Sequence, residues 1–244
     1  MAFSNRVAVV TGGAGRVGRP LCEKFAAAGV AVAVVDIDAA GAEAEAGKIR
    51  STGGVAKGYC MDIQSTESVR DASARILADF GRADILVNNA GVWRRKLLEE
   101  MDEDFWLFHI NLNLNGVFRV TKAFLPGMLE RGYGRIVNLG SIAGEVGLPF
   151  YGAYATAKAG VIMFTKTLAM EVAKRGVTVN CVSPGMIGDR PDGPIKQTWV
   201  ERWGTGPEVA DLILFLSADE SSFITGADYT IDGGRILGPR FADV

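Results

Sequence analysis

Short, continuously apolar runs alternate along this chain with longer segments in which apolar and polar residues mix at helical spacing. Seven runs have the length and the β-branched content of buried strands, and they cover residues 7–10, 30–36, 55–60, 84–88, 134–139, 177–182 and 228–231. Helix-length stretches separate them, among them residues 16–28, 66–80 and 150–174. Strands that are apolar throughout and separated by helices predict a parallel sheet covered by helices on both faces.

Right-handed crossovers between such strands predict a single-domain α/β fold, a Rossmann-type doubly wound parallel sheet of about seven strands. Neither a composition break nor a linker or repeat divides the 244 residues. We therefore expect one dinucleotide-binding and catalytic domain over residues 1–244. The segment 184–206 is rich in Pro and Gly, and it predicts a short loop that serves as a substrate lid.

The composition argues against several classes of function, namely nucleic acid binding, membrane insertion and metal binding. Apolar residues make up 48% and charged residues 22% of the chain, and the net charge is −2, so no basic excess favours nucleic acid binding. Apolar runs are too short to cross a membrane. The three cysteines, Cys22, Cys60 and Cys181, have no metal-ligand spacing, which predicts reduced core thiols in a cytoplasmic protein. The single histidine, His109, is expected to be structural, and no metal is expected.

A glycine turn, TGGAGRVG at residues 11–18, follows the first predicted strand. Gly12, Gly15 and Gly18 predict a backbone that can approach a pyrophosphate at a helix N-terminus. Asp36 ends the second strand, where a carboxylate can accept hydrogen bonds from ribose hydroxyls. A 2′-phosphate about 4 Å from it would cost roughly 4 kcal/mol at an effective dielectric constant of 20, so we expect NAD rather than NADP. Arg16 argues the other way, because its guanidinium could hold a phosphate.

Tyr154 and Lys158 lie four residues apart in the segment YATAK, so that on a helix they share one face. Taken alone, the pair is compatible with a tyrosine packed at the core edge and a lysine that reaches solvent. The alternative is chemical. A free tyrosine has a pKa of about 10, and a neighbouring ammonium would lower that pKa and make the phenol a usable acid and base.

The motifs together resemble the short-chain dehydrogenase/reductase family from about residue 6 to residue 234. Those that carry the resemblance are TGGAGRVG, NNAG (88–91), NLNG (113–116), GRIVNLGSIAG (134–144), YATAK (154–158), NCVSPG (180–185) and IDGG (231–234). The resemblance implies an NAD-dependent oxidoreductase that interconverts a secondary alcohol and a ketone. In this family the chemistry is a hydride transfer to or from the nicotinamide, joined to a proton transfer by the tyrosine.

The resemblance also implies roles for individual residues. Tyr154 would be the acid/base, Lys158 would lie beside it, Ser141 would hydrogen-bond the substrate oxygen, and Asn113 would hold a water that links Lys158 to solvent. The implied cofactor-binding residues are Gly12, Gly15, Arg16, Val17, Gly18, Asp36, Asp62, Ile63, Asn89, Gly91, Tyr154, Lys158, Pro184, Gly185 and Ile187.

Several residues that could contact the substrate lie in the segment 91–100, which follows the fourth predicted strand. Arg94 and Arg95 could attract an anionic substrate, although a solvated loop is the simpler interpretation. Trp93, Glu145 and Tyr151 are further candidates for the pocket wall, and Glu145 would oppose an anion or bind a polyol hydroxyl. We therefore expect a small polar alcohol: a polyol, a sugar derivative, a hydroxy acid or a steroid-like ring alcohol.

Several alternatives stay open at this point. The nearest enzyme alternative is an NADPH-dependent 3-ketoacyl-thioester reductase, and an epimerase with tightly held NAD is another. A non-catalytic dinucleotide-binding regulator belongs to a different class.

Because family members pair two long helices, here within residues 102–130 and 150–174, a homotetramer is expected, with a dimer as the alternative. The expected partner is a small-molecule substrate, not nucleic acid or membrane.

Overall fold

The computed structural model describes residue 3 and residues 5–188 and 195–238. Seven strands form one parallel sheet in the order β3-β2-β1-β4-β5-β6-β7. They are β1 Val7–Thr11, β2 Ala31–Asp36, β3 Ala56–Cys60, β4 Ile85–Asn88, β5 Gly134–Leu139, β6 Val177–Pro184 and β7 Asp228–Ile231. The α-helices of this part of the chain are α1 Gly18–Ala27, α2 Ala39–Ser51, α3 Thr66–Phe80, α4 Glu103–Ile110, α5 Gly116–Arg131, α6 Gly152–Val172 and α7 Gly206–Ser217.

Both faces of the sheet are covered, as the continuous apolar runs predicted. Strands β1 and β5 are buried along their whole length. One face packs against α1, α2 and α7 through side chains such as Phe25 and Ile213, and the other packs against α3, α5 and α6 through Ile76 and Phe124. The predicted doubly wound fold is therefore confirmed. The most regular helix prediction, residues 66–80, coincides with α3.

The sheet order fixes where a ligand can bind. Strand β1 lies between β2 and β4, so the crossover helices diverge to opposite sides at this point. In open parallel sheets, the crevice at the carboxyl ends of such strands is the place where ligands bind. Thr11, Asn88, Leu139 and Pro184 end the strands that meet at this edge.

Helices α4 and α5 are joined by a π-helical turn, Asn111–Asn115, so that one nearly continuous helix runs from Glu103 to Arg131. Such turns insert an extra residue into a helix and often occur at functional sites. Here the turn carries Asn113 into the protein interior, where it is fully buried.

Cys22 and Cys181 are buried, as expected for core thiols, but Cys60 is exposed because it ends β3 at the edge of the sheet. Residues 189–194 of the predicted lid lie outside the described residues. In the adjoining segment, Gly188 N–H donates to the Gly204 carbonyl and Gly204 N–H to the Met186 carbonyl, both at 2.9 Å. Within the described part of the chain, none of the helices has the length and apolarity to span a membrane.

Candidate active site

A cavity of about 620 Å³ opens at the carboxyl ends of the central strands. It brings together Ser141, Tyr154 and Lys158 from the sequence-derived catalytic set. Of the residues expected to hold the cofactor, Gly18 does not line the cavity. The others do, and they are Gly12, Gly15, Arg16, Val17, Asp36, Asp62, Ile63, Asn89, Gly91, Tyr154, Lys158, Pro184, Gly185 and Ile187. The sequence therefore identifies one continuous surface, although these residues are scattered over most of the chain.

The glycine turn is shaped to receive a phosphate group. Gly12 has φ +64°, and a Cβ there would lie 2.9 Å from the Ala90 Cα. A Cβ on Gly18 would overlap the carbonyl oxygen of Gly12, so Gly18 allows the turn to fold back and does not itself contact the cavity. Helix α1 begins at this turn with no side chain capping it. Uncapped helix N-termini present N–H groups to an anion, so the turn fits a dinucleotide pyrophosphate.

Thr11 and Asn89 hold this turn against the end of β4. The side-chain amide of Asn89 donates through Nδ2 to the backbone carbonyls of Thr11 and Gly12, each at 2.9 Å. The Thr11 hydroxyl in turn accepts the N–H groups of Asn89 and Ala90 at 3.1 Å. Thr11 is a cavity residue that the sequence analysis missed, and its place between β1 and the first glycine was the available signal.

On the β2 and β3 side, two acids line the cavity. Asp36 Oδ2 accepts the N–H of Ala14, and Asp36 Oδ1 accepts the N–H of Asp38, each at 3.1 Å. Asp62 Oδ1 accepts the N–H of Gln64 at 2.9 Å. Both carboxylates therefore stabilise the loops in which they lie, in addition to facing the cavity.

Lys158 is almost completely buried, at 3% exposure, one helical turn after Tyr154 on α6. Its Nζ donates to the carbonyl of Leu139 at 2.6 Å and lies 5.8 Å from the centroid of the Tyr154 ring. Burial disfavours the charged ammonium and lowers the pKa of Lys158 from 10.5 to about 8. Lys158 can therefore carry a proton at neutral pH and still release it at modest cost.

Burial raises the pKa of Tyr154 above its usual value of 10, and Tyr151 adds to this effect, while Ser141 acts in the opposite direction. This corrects the sequence-based expectation that Lys158 lowers the tyrosine pKa. The largest cause is the burial of the phenol, and the Lys158 ammonium donates instead to the Leu139 carbonyl. In the chain alone, Tyr154 is held in its protonated form, as a proton donor requires.

Asn113 does not line the cavity, but it holds the loop that does. Its Nδ2 donates to the Val92 carbonyl at 3.1 Å, and its Oδ1 accepts the Val92 N–H at 3.2 Å. The same Nδ2 lies 3.2 Å from Nδ1 of His109. His109 is fully buried on α4, and burial together with Arg94 lowers the pKa of its imidazole. A neutral His109 therefore accepts from Asn113.

The residues proposed for the substrate wall differ in position. Of Trp93, Arg94, Arg95, Glu145 and Tyr151, Trp93 lines the cavity. The ring of Tyr151 lies 6.2 Å from the Tyr154 ring and 6.1 Å from the Trp93 ring, so it stands just outside the catalytic group. The Glu145 carboxylate accepts the Thr230 hydroxyl at 2.9 Å and is thereby directed toward β7.

Arg94 and Arg95 lie on aromatic rings beside the cavity mouth. The Arg94 guanidinium carbon is 4.4 Å from the centre of the Phe108 ring, and that of Arg95 is 5.4 Å from the centre of the Phe150 ring.

Among the described residues, no group of three or more His, Cys, Asp and Glu side chains could hold a metal ion. The chemistry that the site offers is thus proton transfer beside a nucleotide cleft.

Comparisons with known proteins agree with this geometry. A family model described as short chain dehydrogenase matches residues 6–197. The chain is 38% identical to the 3-oxoacyl-[acyl-carrier-protein] reductase FabG of Escherichia coli strain K12, over 97% of this chain and 100% of that protein. It is 36% identical to the FabG of Thermotoga maritima, again over 97% and 100%. The solved structure of gox2181 is 35% identical, with a TM-score of 0.92, and the match covers 97% and 98% of the two chains.

The expected preference for NAD over NADP is wrong, because the 3-oxoacyl-[acyl-carrier-protein] reductases that this chain resembles depend on NADPH. The expectation assumed an Asp36 carboxylate that is available to repel a 2′-phosphate. In the structure, backbone N–H groups of Ala14 and Asp38 already donate to both of its oxygens. Such bonds offset part of the carboxylate charge, so the repulsion calculated for a bare pair of charges was too large.

Proposed function

This chain belongs to the short-chain dehydrogenase family and is an oxidoreductase acting on CH–OH groups. On that premise, we propose that it reduces the keto group of 3-oxoacyl thioesters with NADPH. The observation that carries the proposal is 38% identity to a 3-oxoacyl-[acyl-carrier-protein] reductase over 97% of this chain. The small polar alcohol expected from the sequence has less support, because the acid Glu145 that suggested a polyol is bonded to Thr230.

Each catalytic side chain has a role in this reaction. Ser141 orients the carbonyl oxygen of the substrate, and Tyr154 donates its hydroxyl proton to that oxygen as the alcohol forms. Lys158 then restores the proton, since its pKa of about 8 keeps it protonated at neutral pH. Asn113 holds the Val92 backbone, so that the loop bordering the substrate keeps its position. NADPH, when bound, supplies the hydride that the carbonyl carbon receives.

The residues that would hold the cofactor are those of the cavity. Gly12 and Gly15, with the N-terminus of α1, would receive the pyrophosphate. Asp36, Asp62 and Ile63 would contact the adenosine half. Close packing in this cleft supports the assignment, since a Cβ at Gly91 would stand 2.9 Å from Asn113 Oδ1 and 3.5 Å from Lys158 Nζ.

The test is the NADPH-dependent reduction of acetoacetyl thioesters, followed by the absorbance of NADPH and compared with a panel of unactivated ketones, sugars and polyols. We expect a kcat/KM about 100-fold higher for the 3-oxo thioester, the order of discrimination that contacts made to one substrate and not to another supply. The same series with NADH measures the cofactor preference. Equal or better turnover of a polyol, with no thioester reduction, would contradict the proposal.

We also propose that the protein acts as a homotetramer in the cytoplasm. Four large apolar side chains on α4, α5 and α6 support an oligomer because they are exposed in the single chain, namely Leu107, Phe118, Met163 and Met170. The three cysteines are free thiols, in keeping with a reducing compartment. Light scattering on the purified protein measures the oligomeric state, and a monomeric mass would contradict this proposal.

A further inference from the structure

A cationic and aromatic surface borders the mouth of the candidate active site. We call it the mouth patch and define it as Trp93, Arg94, Arg95, Phe150 and Tyr151. Trp93 is 60% exposed and also lines the catalytic cavity, which joins the patch to the site. The patch is built from two loops that are joined by the Lys96 N–H, which donates to the Phe150 carbonyl at 2.9 Å.

The two guanidiniums of the patch have no carboxylate partner in the part of the chain that the structure describes. Among residues 3, 5–188 and 195–238, no carboxylate oxygen comes within 4.0 Å of Arg94 or Arg95. The adjacent cation behaves differently, since Lys96 Nζ is paired with Asp102 at 2.7 Å. Glu145, the acid among the residues proposed for the substrate wall, accepts the Thr230 hydroxyl instead. The patch is therefore positive at two points.

The guanidiniums are also held in place. Arg94 lies 4.4 Å from the centre of the Phe108 ring, while Arg95 lies 5.4 Å and 5.9 Å from the centres of the Phe150 and Tyr151 rings. A guanidinium that lies over an aromatic face loses little conformational entropy on binding, and its N–H groups remain available to an oxyanion. Phe150 has φ +73°, an unusual backbone conformation, and its ring lies beneath the Arg95 guanidinium.

The patch stands at a defined place relative to the chemistry. Arg95 contacts the Tyr151 ring, and the Tyr151 ring lies 6.2 Å from that of Tyr154. An anion bound to Arg95 would thus lie one aromatic ring away from the proton donor. This separation excludes the reacting carbonyl itself and suits a charged group farther along the same substrate molecule.

We propose that Arg94 and Arg95 bind an oxyanion on the substrate, a phosphate or a carboxylate that is remote from the keto group. This inference rests on the proposed function for the identity of the reacting group. The anion has two possible sources, a phosphate on the thiol portion of the thioester or a carboxylate at the far end of the acyl chain. Because the contact is remote from the reacting atoms, it contributes to ground-state and transition-state binding alike, and it changes KM more than kcat.

Kinetics with NADPH and three probes test this inference. The probes are the N-acetylcysteamine thioester of 3-oxobutanoate, which is neutral, the coenzyme A thioester of the same acid, which carries phosphates, and the N-acetylcysteamine monothioester of 3-oxoadipate, which carries a distal carboxylate. In Arg94→Ala and Arg95→Ala, we expect KM for one charged probe to rise about three- to tenfold, with kcat and the neutral probe unchanged. Lys96→Ala is the matched control, because it removes a charge that Asp102 already neutralises. The charged probe that responds identifies the source of the anion.

A binding measurement separates failure of this inference from failure of the proposed function. Quenching of protein fluorescence by free coenzyme A and by free 3-oxoadipate is titrated at saturating NADP⁺, which keeps the probes out of the nucleotide cleft. We expect weaker binding of one probe in Arg95→Ala than in Lys96→Ala, even if no thioester is reduced. Equal affinities in the wild type and both arginine variants would overturn the inference, as would equal KM changes for charged and neutral probes.

Discussion

Replacing Lys158 by methionine should make the protein more stable and inactive. The ammonium is almost fully buried, and its Nζ donates to the Leu139 carbonyl. Its pKa falls from 10.5 to about 8, and at about 1.4 kcal/mol per pKa unit the charged form costs roughly 3 kcal/mol in the folded state. Methionine has a similar length and no charge, but it leaves the Leu139 carbonyl without its donor, which offsets about 1 kcal/mol. We therefore expect a net gain of roughly 2 kcal/mol in the free energy of unfolding at pH 7.

The pH dependence of this gain gives the sharper test. Below about pH 8, Lys158 is charged in both the folded and the unfolded chain, so its full cost is present. As pH rises from about 8 to 10.5, the folded lysine loses its proton before the unfolded one does, and the wild type recovers stability relative to the variant. The advantage of Lys158→Met should therefore be largest near neutrality and fade toward pH 10.5.

Urea unfolding of both proteins at several pH values measures this difference directly. Lys166→Met is the matched control, because it removes an exposed lysine from the same helix and should change the stability by less than about 0.5 kcal/mol. If Lys158→Met proves less stable than the wild type at pH 7, or if its advantage does not depend on pH, then burial does not dominate the energetics of this ammonium.

The remaining predictions concern the packing around the cavity. Gly18→Ala forces a Cβ onto the Gly12 carbonyl, so we expect at least a tenfold weaker affinity for NADPH by fluorescence titration; unchanged affinity would contradict the proposed turn geometry. Gly91→Ala places a Cβ 2.9 Å from Asn113 Oδ1, so kcat should fall while the melting temperature stays within a few degrees; wild-type kcat would show that this approach is not required. Because the folded pKa of His109 lies below its unfolded value of 6.5, stability should be lost as pH falls below 6.5, by at most about 1.4 kcal/mol per pH unit. His109→Gln should flatten this slope in urea titrations between pH 7 and 5, and an identical slope would rule out His109 as its origin.

The pattern of apolar residues along the chain predicts most of the strands and helices of this fold. A strand such as β5 is buried at every position, and only a sheet covered on both faces can bury a continuous apolar run of that kind. Helix α3 was equally predictable, since Ser65 caps its first turn, Gly81 ends it in the left-handed conformation, and apolar residues recur on one face.

The site was predictable where spacing determines geometry, and less so where contacts between distant segments do. Tyr154 and Lys158 share a face because α6 is regular there. In contrast, no local sequence pattern predicts the π-helical turn that buries Asn113, or the hydrogen bond from Lys158 to the Leu139 carbonyl. The cofactor expectation failed for the same reason, since the bonds from Ala14 and Asp38 to Asp36 depend on the folded loops.

Single-turnover reduction of a 3-oxoacyl thioester by Tyr154→Phe, with NADPH affinity measured on the same protein, tests the central claim most directly. Phenylalanine keeps the ring that packs 6.2 Å from Tyr151 but removes the hydroxyl that would donate the proton. We expect the rate of reduction to fall about 10²- to 10⁴-fold while NADPH still binds with nearly wild-type affinity. A variant that retains the wild-type rate would contradict the assignment of Tyr154 as the proton donor.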